Sequence, residues 1–246
     1  MWRTFGIILA ALLLSAPSAS AQVSWTVTTE VFDKYLAGSL GFRLYDGPVS
    51  QTNINASVTK GALEGAYANI WYSGGLVGDR FPSNIRNEVD WTLGWAGTAN
   101  GMGVDASCSY YDLPKLFKTI GDIRACALEV NTAFVSGKHT LTPFVLGEYI
   151  SPEGASDGLW LRLGLRDSWN VTDYLTVAHA GRVMYDSGAI DVKAGFNYAH
   201  QAMLVWKLSD SADLRLPIVK LHTPITNFGD GRKTEIAVGS GIVVRF

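Results

Sequence analysis

The sequence predicts an all-β protein, a single transmembrane antiparallel β-barrel of about 12 strands with short periplasmic turns and longer extracellular loops. Three observations predict this fold. Apolar and polar residues alternate along most of the chain, the connections between candidate strands are alternately short and long, and the last strand ends on Phe246. Lipid-facing and lumen-facing residues alternate in such barrels, whereas a helical membrane protein needs unbroken apolar runs of ~20 residues.

Residues 1–21 have the three parts of a secretory signal peptide. Arg3 supplies the positive charge, residues 7–14 supply a short apolar core, and Ala19-Ser20-Ala21 supplies the small-residue cleavage site. The apolar core is shorter than the ~20 residues that a spanning helix needs. We therefore expect cleavage after Ala21, with residues 22–246 forming the outer-membrane β-barrel. An uncleaved N-terminal anchor is the alternative.

Period-two alternation is clearest from Leu159 to Leu165, where leucines alternate with Trp160, Arg162 and Gly164. Most candidate strands reach the ~9–11 residues with which a tilted strand crosses a bilayer. The twelve candidate strands are residues 23–35, 49–60, 62–73, 85–97, 102–112, 123–135, 139–150, 158–169, 173–185, 195–208, 213–222 and 233–246.

The connections give an independent test of the fold. Those after candidate strands 2, 4, 6, 8 and 10 are short, and those after the odd-numbered strands are longer, such as 37–49, 74–84 and 224–232. Twelve antiparallel strands with both termini in the periplasm require this alternation. Ten strands are the alternative if strand 1 or strand 10 is misread.

The last candidate strand carries an alternating apolar face from Ile236 to Phe246. A terminal Phe that closes such a strand resembles the C-terminal signature of bacterial outer-membrane proteins, which the barrel-assembly machinery reads. The resemblance implies that machinery and outer-membrane lipids as partners, and the bacterial outer membrane as the location. The last strand of a periplasmic sandwich is the alternative.

The two cysteines, Cys108 and Cys126, lie on candidate strands 5 and 6. A turn centred near Phe117 places them opposite each other, and parity places both on the apolar face. Opposite residues of paired strands lie ~4.5–5.5 Å apart at Cα, which is within disulfide range, and the periplasm is oxidising. We expect a cross-strand disulfide. Two free lipid-facing thiols are the alternative.

The polar faces of the strands predict the lining of the lumen. Acids cluster on candidate strands 4–7 and arginines dominate strands 8, 9 and 11, an arrangement that sets up a transverse field and selects solutes. Alternatively, acids and bases pair across a narrow lumen and plug it. The proposed pore-lining charges are Arg86, Glu88, Asp90, Asp105, Glu129, Glu148, Arg162, Arg166, Arg182 and Arg215.

The sequence lacks the common motifs of catalytic, metal and nucleotide sites, namely HExxH, CxxC, a Gly-rich phosphate loop and a nucleophile elbow. A barrel lipase of the phospholipase A type typically needs His-x-Ser. None of His139, His179, His200 and His222 is followed by Ser two positions later, and none has an acid or amide partner by parity. We expect no enzyme activity, cofactor or metal. The net charge of −2 gives no reason to expect a nucleic-acid partner.

Three segments resemble the proteobacterial TorF-type porin family: Glu30 to Tyr35, Gly47 to Thr52 and Asn87 to Trp95. That family has an early Tyr, a Pro-x-x-Gln start to the second strand and an acidic Glu-x-Asp strand followed by Gly. The similarity is concentrated in the first half of the chain. It implies an outer-membrane barrel with a pore role, and it brings no catalytic residues.

These features together predict a porin-like channel for the passive diffusion of small polar or charged solutes. One alternative is a plugged barrel that acts as an adhesin or structural platform through its extracellular loops. Another is a lipid-modifying outer-membrane enzyme, which the missing His-x-Ser disfavours. Conductance favours the first function, and exposed loops favour the second.

Overall fold

The computed structural model of the chain describes residues 22–37, 42–76, 87–113, 121–229 and 231–246. The predicted signal peptide, residues 1–21, and Arg86 lie outside these described residues. Within the described residues, no helix has the length and hydropathy to cross a membrane. The regular structure is β-strand, apart from one 3₁₀ turn at Ala189–Asp191.

The strands are numbered in chain order. They are β1 Gln22–Phe32, β2 Tyr35–Ala37, β3 Phe42–Tyr45, β4 Val49–Lys60, β5 Ala66–Gly75, β6 Asn87–Ala99, β7 Met102–Asp112, β8 Ile123–Asn131, β9 Phe134–Ser136, β10 His139–Pro152, β11 Gly158–Asn170, β12 Leu175–Asp186, β13 Gly195–Lys207, β14 Ala212–Pro224 and β15 Glu235–Arg245.

All of these strands except β2 and β3 form one antiparallel sheet that closes on itself. Neighbours in the sheet are neighbours along the chain, and β1 pairs with β15 from Thr26↔Arg245 to Phe32↔Gly239. β8 and β9 both pair with β10 and occupy one position in the wall, so the barrel has twelve strands. The twelve-stranded antiparallel barrel predicted from the sequence is confirmed, and the ten-stranded alternative is wrong.

The two ends of the barrel differ in their connections. One end, called here the short-turn end, has the turns 61–65, 100–101, 137–138, 171–174 and 208–211 and both termini of the barrel. The two-residue turn 100–101 has positive φ at Asn100 (51°) and Gly101 (79°), which matches the twist of a two-residue hairpin. The opposite end, called the long-loop end, has most of the longer connections.

At two strand boundaries the structure differs from the prediction by three or four residues. The first strand was predicted to reach residue 35, but β1 ends at Phe32. The carboxylate of Asp33 accepts a hydrogen bond from the Val238 backbone N–H (2.8 Å) and turns the chain inward. The third strand was predicted from residue 62, but residues 61–65 form a turn. Gly65 has a φ of 90°, and a Cβ there would lie 2.3 Å from the Ala96 carbonyl oxygen.

The register of β7 and β8 pairs Cys108 with Cys126. The two residues form a disulfide with Cα atoms 4.1 Å apart, and both are exposed on the outer surface of the barrel. The disulfide closes a loop whose ends are 18 residues apart in sequence. It therefore links β7 and β8 covalently, in addition to the backbone hydrogen bonds between them.

Denatured protein that has not been reduced is expected to show no reactive thiol, because Cys108 and Cys126 are bonded to each other. After reduction, two thiols per chain should react with a maleimide reagent. Labelling of both cysteines before reduction, read by intact mass, would contradict the disulfide.

Candidate functional site

The lumen of the barrel is the candidate site. The structure places nine of the ten charges proposed from the sequence on the inner wall, Arg86 being outside the described residues. Glu88, Glu129 and Glu148 are buried there at 7, 8 and 5% exposure. A buried carboxylate needs hydrogen-bonding or charged partners. The partner of each carboxylate shows whether it is paired along the wall or across the lumen.

Two ion pairs connect β8, β10 and β11. Arg162 lies 2.5 Å from Glu148 on the adjacent strand. Arg166 binds both carboxylate oxygens of Glu129, at 2.7 and 2.5 Å, and its guanidinium lies over the ring of Phe144, 4.1 Å from the ring centroid. Such two-point contacts fix the geometry of the arginine. The first pair joins adjacent strands, and the second joins strands separated only by β10. Neither pair therefore spans the lumen.

A second group of ion pairs lies near the β1–β15 seam. Arg215 on β14 donates to Glu30 on β1 at 2.9 Å, and Lys220 lies 3.9 Å from the same carboxylate. The intervening strand provides Gly241, where a Cβ would lie 2.6 Å from the Glu30 side chain. Arg245 also pairs with Asp213 on the adjacent strand. Charges in this part of the wall are therefore also paired with neighbouring strands.

Tyrosines satisfy further carboxylates of the wall. Tyr67 donates to Asp105 at 2.7 Å across Gly94, whose missing side chain leaves room for the Tyr67 ring. Tyr111 donates to Glu148 at 2.8 Å. These bonds link strands that are not adjacent, which is why parity along a single strand did not predict them.

A small hairpin formed by β2 and β3 fills the part of the lumen near the long-loop end. This hairpin was not predicted, since it consists of segments of only three and four residues. Its side chains Leu36, Leu44 and Tyr45 are buried. The apolar cluster around them contains Phe32, Val49, Leu113, Ile123, Ile150, Trp160, Met184, Ile190 and Ile218.

Polar contacts attach the hairpin to the wall. The Tyr35 hydroxyl donates to the Glu88 carboxylate at 2.6 Å in a buried position. Arg43 and Lys34 lie 3.9 and 3.7 Å from Glu235 at the start of β15. Because these contacts lie on β6 and β15, the hairpin is held from two sides of the barrel.

The connection between β12 and β13 also packs into this apolar cluster. Ile190 is buried and has a φ of 62°, which is unusual for a β-branched residue. The buried carboxylate of Asp186 holds the turn by accepting from the backbone N–H groups of Gly188 (2.9 Å) and Ala189 (3.0 Å). Ser156 donates to Asp191 through its hydroxyl and its backbone N–H, which lowers the pKa of that carboxyl.

A cavity of about 420 Å³ lies between the hairpin and the wall. Glu88 and Asp90 line it from β6, whereas Arg182 on β12 and Lys220 and His222 on β14 line it from the other side. In a closed barrel of twelve strands, β6 is opposite β13, so acidic and basic groups face each other across this space. Opposed charges at a constriction are a means of selecting ions and polar solutes.

One statement made from the sequence about the histidines is wrong. Parity along single strands gave no acid partner for any histidine, but His139 and His179 both pair with Asp167. The contacts depend on the register that places Asp167 opposite His179 and Leu141. These groups lie on the outer face of the barrel, since the alternate residue Arg166 faces the lumen.

Comparisons with known proteins identify the fold. No family model and no curated protein matches the sequence. Among solved structures, the chain is similar to the KdgM porin, with a TM-score of 0.55 and 11% identity over 91% of this chain and 99% of that chain. It is also similar to the NanC porin (TM-score 0.54, 10% identity, 89% of this chain and 98% of that chain).

A third similar structure is the COG4313 outer membrane channel from Pseudomonas putida F1, with a TM-score of 0.52 and 9% identity over 94% of this chain and 97% of that chain. The chain therefore has the β-barrel fold of outer-membrane porins and channels. The resemblance to the TorF-type family in particular stays a prediction.

Replacement of Tyr35 by Phe is expected to loosen the hairpin, because it leaves the buried Glu88 carboxylate without this donor. A lost hydrogen bond of this kind costs roughly 1–3 kcal/mol. Tryptic cleavage after Lys34 and Arg43 should become about tenfold faster, provided that the hairpin opens and closes rapidly. Tyr174→Phe, at an exposed tyrosine of the short-turn end, is the matched control. Equal cleavage rates for the two variants would show that the Tyr35 contact does not hold the hairpin.

Proposed function

We propose that this protein is an outer-membrane channel for the passive diffusion of small polar or charged solutes. The observation that carries the proposal is the charged cavity, which has Glu88 and Asp90 on one side and Arg182, Lys220 and His222 on the other. Acidic and basic groups on opposite sides of a constriction are a means of selecting ions and polar solutes. The porin fold of the similar structures supports the same function.

The ion pairs of the wall support an open path. Arg162–Glu148, Arg166–Glu129 and Arg215–Glu30 each connect strands that are adjacent or separated by one strand. Charges paired along the wall are satisfied without crossing the lumen, so these ion pairs do not block the lumen by spanning it. The pairing of acids and bases across the lumen, which was the alternative from the sequence, is not needed to satisfy them.

The β2–β3 hairpin sets the width of the proposed path. It fills the lumen near the long-loop end with Leu36 and Leu44 and bounds the charged cavity. Solutes would pass between the hairpin and the wall. Selection by size would therefore occur at the hairpin, and selection by charge at the cavity beside it.

Recording from the protein in a planar lipid bilayer, with and without a salt gradient, tests the proposal. The proposal predicts steady channels with a definite preference for one sign of ion. A folded barrel that never conducts would overturn it. The apolar cluster at the long-loop end would then favour the second candidate function, a plugged barrel that acts through its outer loops.

Arg162→Ala and Arg166→Ala are each expected to shift the ion preference towards cations. Each change leaves a carboxylate, Glu148 or Glu129, without its arginine on the inner wall. The ratio of cation to anion permeability, obtained from the reversal potential, should rise roughly twofold.

The matched control for these variants is Arg124→Ala. It breaks the Arg124–Glu153 pair, which is exposed at the long-loop end and outside the lumen. The control should leave the reversal potential unchanged. An unchanged reversal potential in Arg162→Ala and Arg166→Ala as well would count against the charged wall as the selecting element.

A further inference from the structure

The acidic side of the cavity beside the hairpin is formed by two carboxylates that lie close together. Glu88 and Asp90 are two residues apart on the inner face of β6, and both line the cavity. Their carboxyl groups are within hydrogen-bonding reach of each other. Two carboxylates at this distance repel each other unless a proton or a cation lies beside them. This side of the cavity is therefore suited to a cation.

The partners of this pair differ from those of other carboxylates of the inner wall. Glu30, Glu129 and Glu148 each bind an arginine, at 2.5 to 2.9 Å. Glu88 accepts a hydrogen bond from a tyrosine of the hairpin, but within the described residues no lysine or arginine pairs with Glu88 or Asp90. The buried Oδ1 atom of Asp90 has no hydrogen-bond partner there either. A cationic group of a solute would offset this buried negative charge.

The basic side of the cavity has an excess of positive charge. Arg215 (2.9 Å) and Lys220 (3.9 Å) both contact the carboxylate of Glu30, so two positive charges share one negative charge. Arg182 adds a further positive charge to the lining. His222 is only 4% exposed, and its Nδ1 atom has no hydrogen-bond partner among the described residues. A carboxylate of a solute can accept hydrogen bonds from these groups.

The size of the cavity limits the solute. Its volume of about 420 Å³ lies near the lower end of the ~300–1,000 Å³ that ligand pockets span. An extended residue spans ~3.3–3.6 Å, so the amino and carboxylate groups of a dipeptide are about 7 Å apart. A dipeptide is therefore small enough for the cavity. Water would complete hydrogen bonds but would neutralise neither side, and a solute with one charge would neutralise only one side.

We propose that the cavity binds zwitterionic solutes of about dipeptide size, with the amino group at the Glu88–Asp90 pair and the carboxylate at Lys220 and its basic neighbours. A solute that carries both charges matches both sides of the cavity at once. The inference rests on the proposed function, since it names the class of solute that the channel admits. Binding itself is measured without any current.

Calorimetric titration of the folded barrel in detergent micelles tests this inference with three forms of one dipeptide. Alanyl-alanine carries both charges, its C-terminal amide carries only the positive charge, and its N-acetyl form carries only the negative charge. Alanyl-alanine should bind at least about tenfold more tightly than either blocked form, because each blocked form leaves one side of the cavity without its partner. Equal or tighter binding of a blocked form, or no binding of any form, would overturn the inference.

One variant on each side of the cavity assigns the two contacts. Asp90→Asn should reduce the preference for alanyl-alanine over its N-acetyl form to less than about threefold and keep the preference over the amide. Lys220→Met should do the reverse. The control is Asp157→Asn, at an exposed carboxylate outside the cavity, which should keep both preferences. Two unchanged preferences in a folded Asp90→Asn or Lys220→Met barrel would contradict the assignment.

Conductance separates this inference from the proposed channel. A barrel that conducts but does not bind alanyl-alanine would leave the channel standing and overturn the zwitterion site. A barrel that binds alanyl-alanine with both preferences but never conducts would support the site and overturn the channel.

Discussion

Closure of the sheet between β1 and β15 is the constraint on which the rest of the structure depends. In a bilayer, every backbone N–H and C=O group must find its partner within the protein, and a sheet with an open edge cannot satisfy this. The ladder from Thr26↔Arg245 to Phe32↔Gly239 removes both edges at once. Trp25 and Phe246 extend it through reciprocal backbone hydrogen bonds of 3.2 and 3.0 Å.

A closed sheet with fixed register also determines what each face contains. Residues of one parity point into a narrow space and those of the other parity point outwards, so acids and arginines that alternate with leucines are brought together inside. Their desolvation is offset by pairing along the wall, as in Arg166 with Glu129. The lumen is narrowed instead by the hairpin of β2 and β3, which follows the inward turn of the chain at Asp33.

The features that could be predicted from the sequence are those that depend on alternation along one strand or on the position of one turn. Period-two alternation predicted the strands, and counting from a single turn predicted the register that sets Cys108 opposite Cys126. Contacts between non-adjacent strands were not predictable in this way. Tyr67 reaches Asp105 only because Gly94 lies between them, and that depends on the curvature of the wall.

The inward hairpin escaped prediction for a different reason. Tyr35 to Ala37 and Phe42 to Tyr45 are too short to show a period, and their apolar side chains were read as the end of a strand and part of an outer loop. The burial of Leu36, Leu44 and Tyr45 depends on a lumen wide enough to hold them, which exists only after the barrel closes. The contacts of Asp167 with His139 and His179 on the outer face were not predicted either, because they depend on the register of three neighbouring strands.

The central claim is that the lumen is a charged path narrowed by the β2–β3 hairpin. The most direct measurement is the single-channel conductance of a variant in which residues 35–45 are replaced by a short Gly-Ser linker. The account predicts a conductance several times that of the unaltered protein, with the same preferred sign of ion, because the charged side chains of the wall strands are all kept. Equal conductance in the two proteins would contradict it, since the hairpin would then not lie in the path.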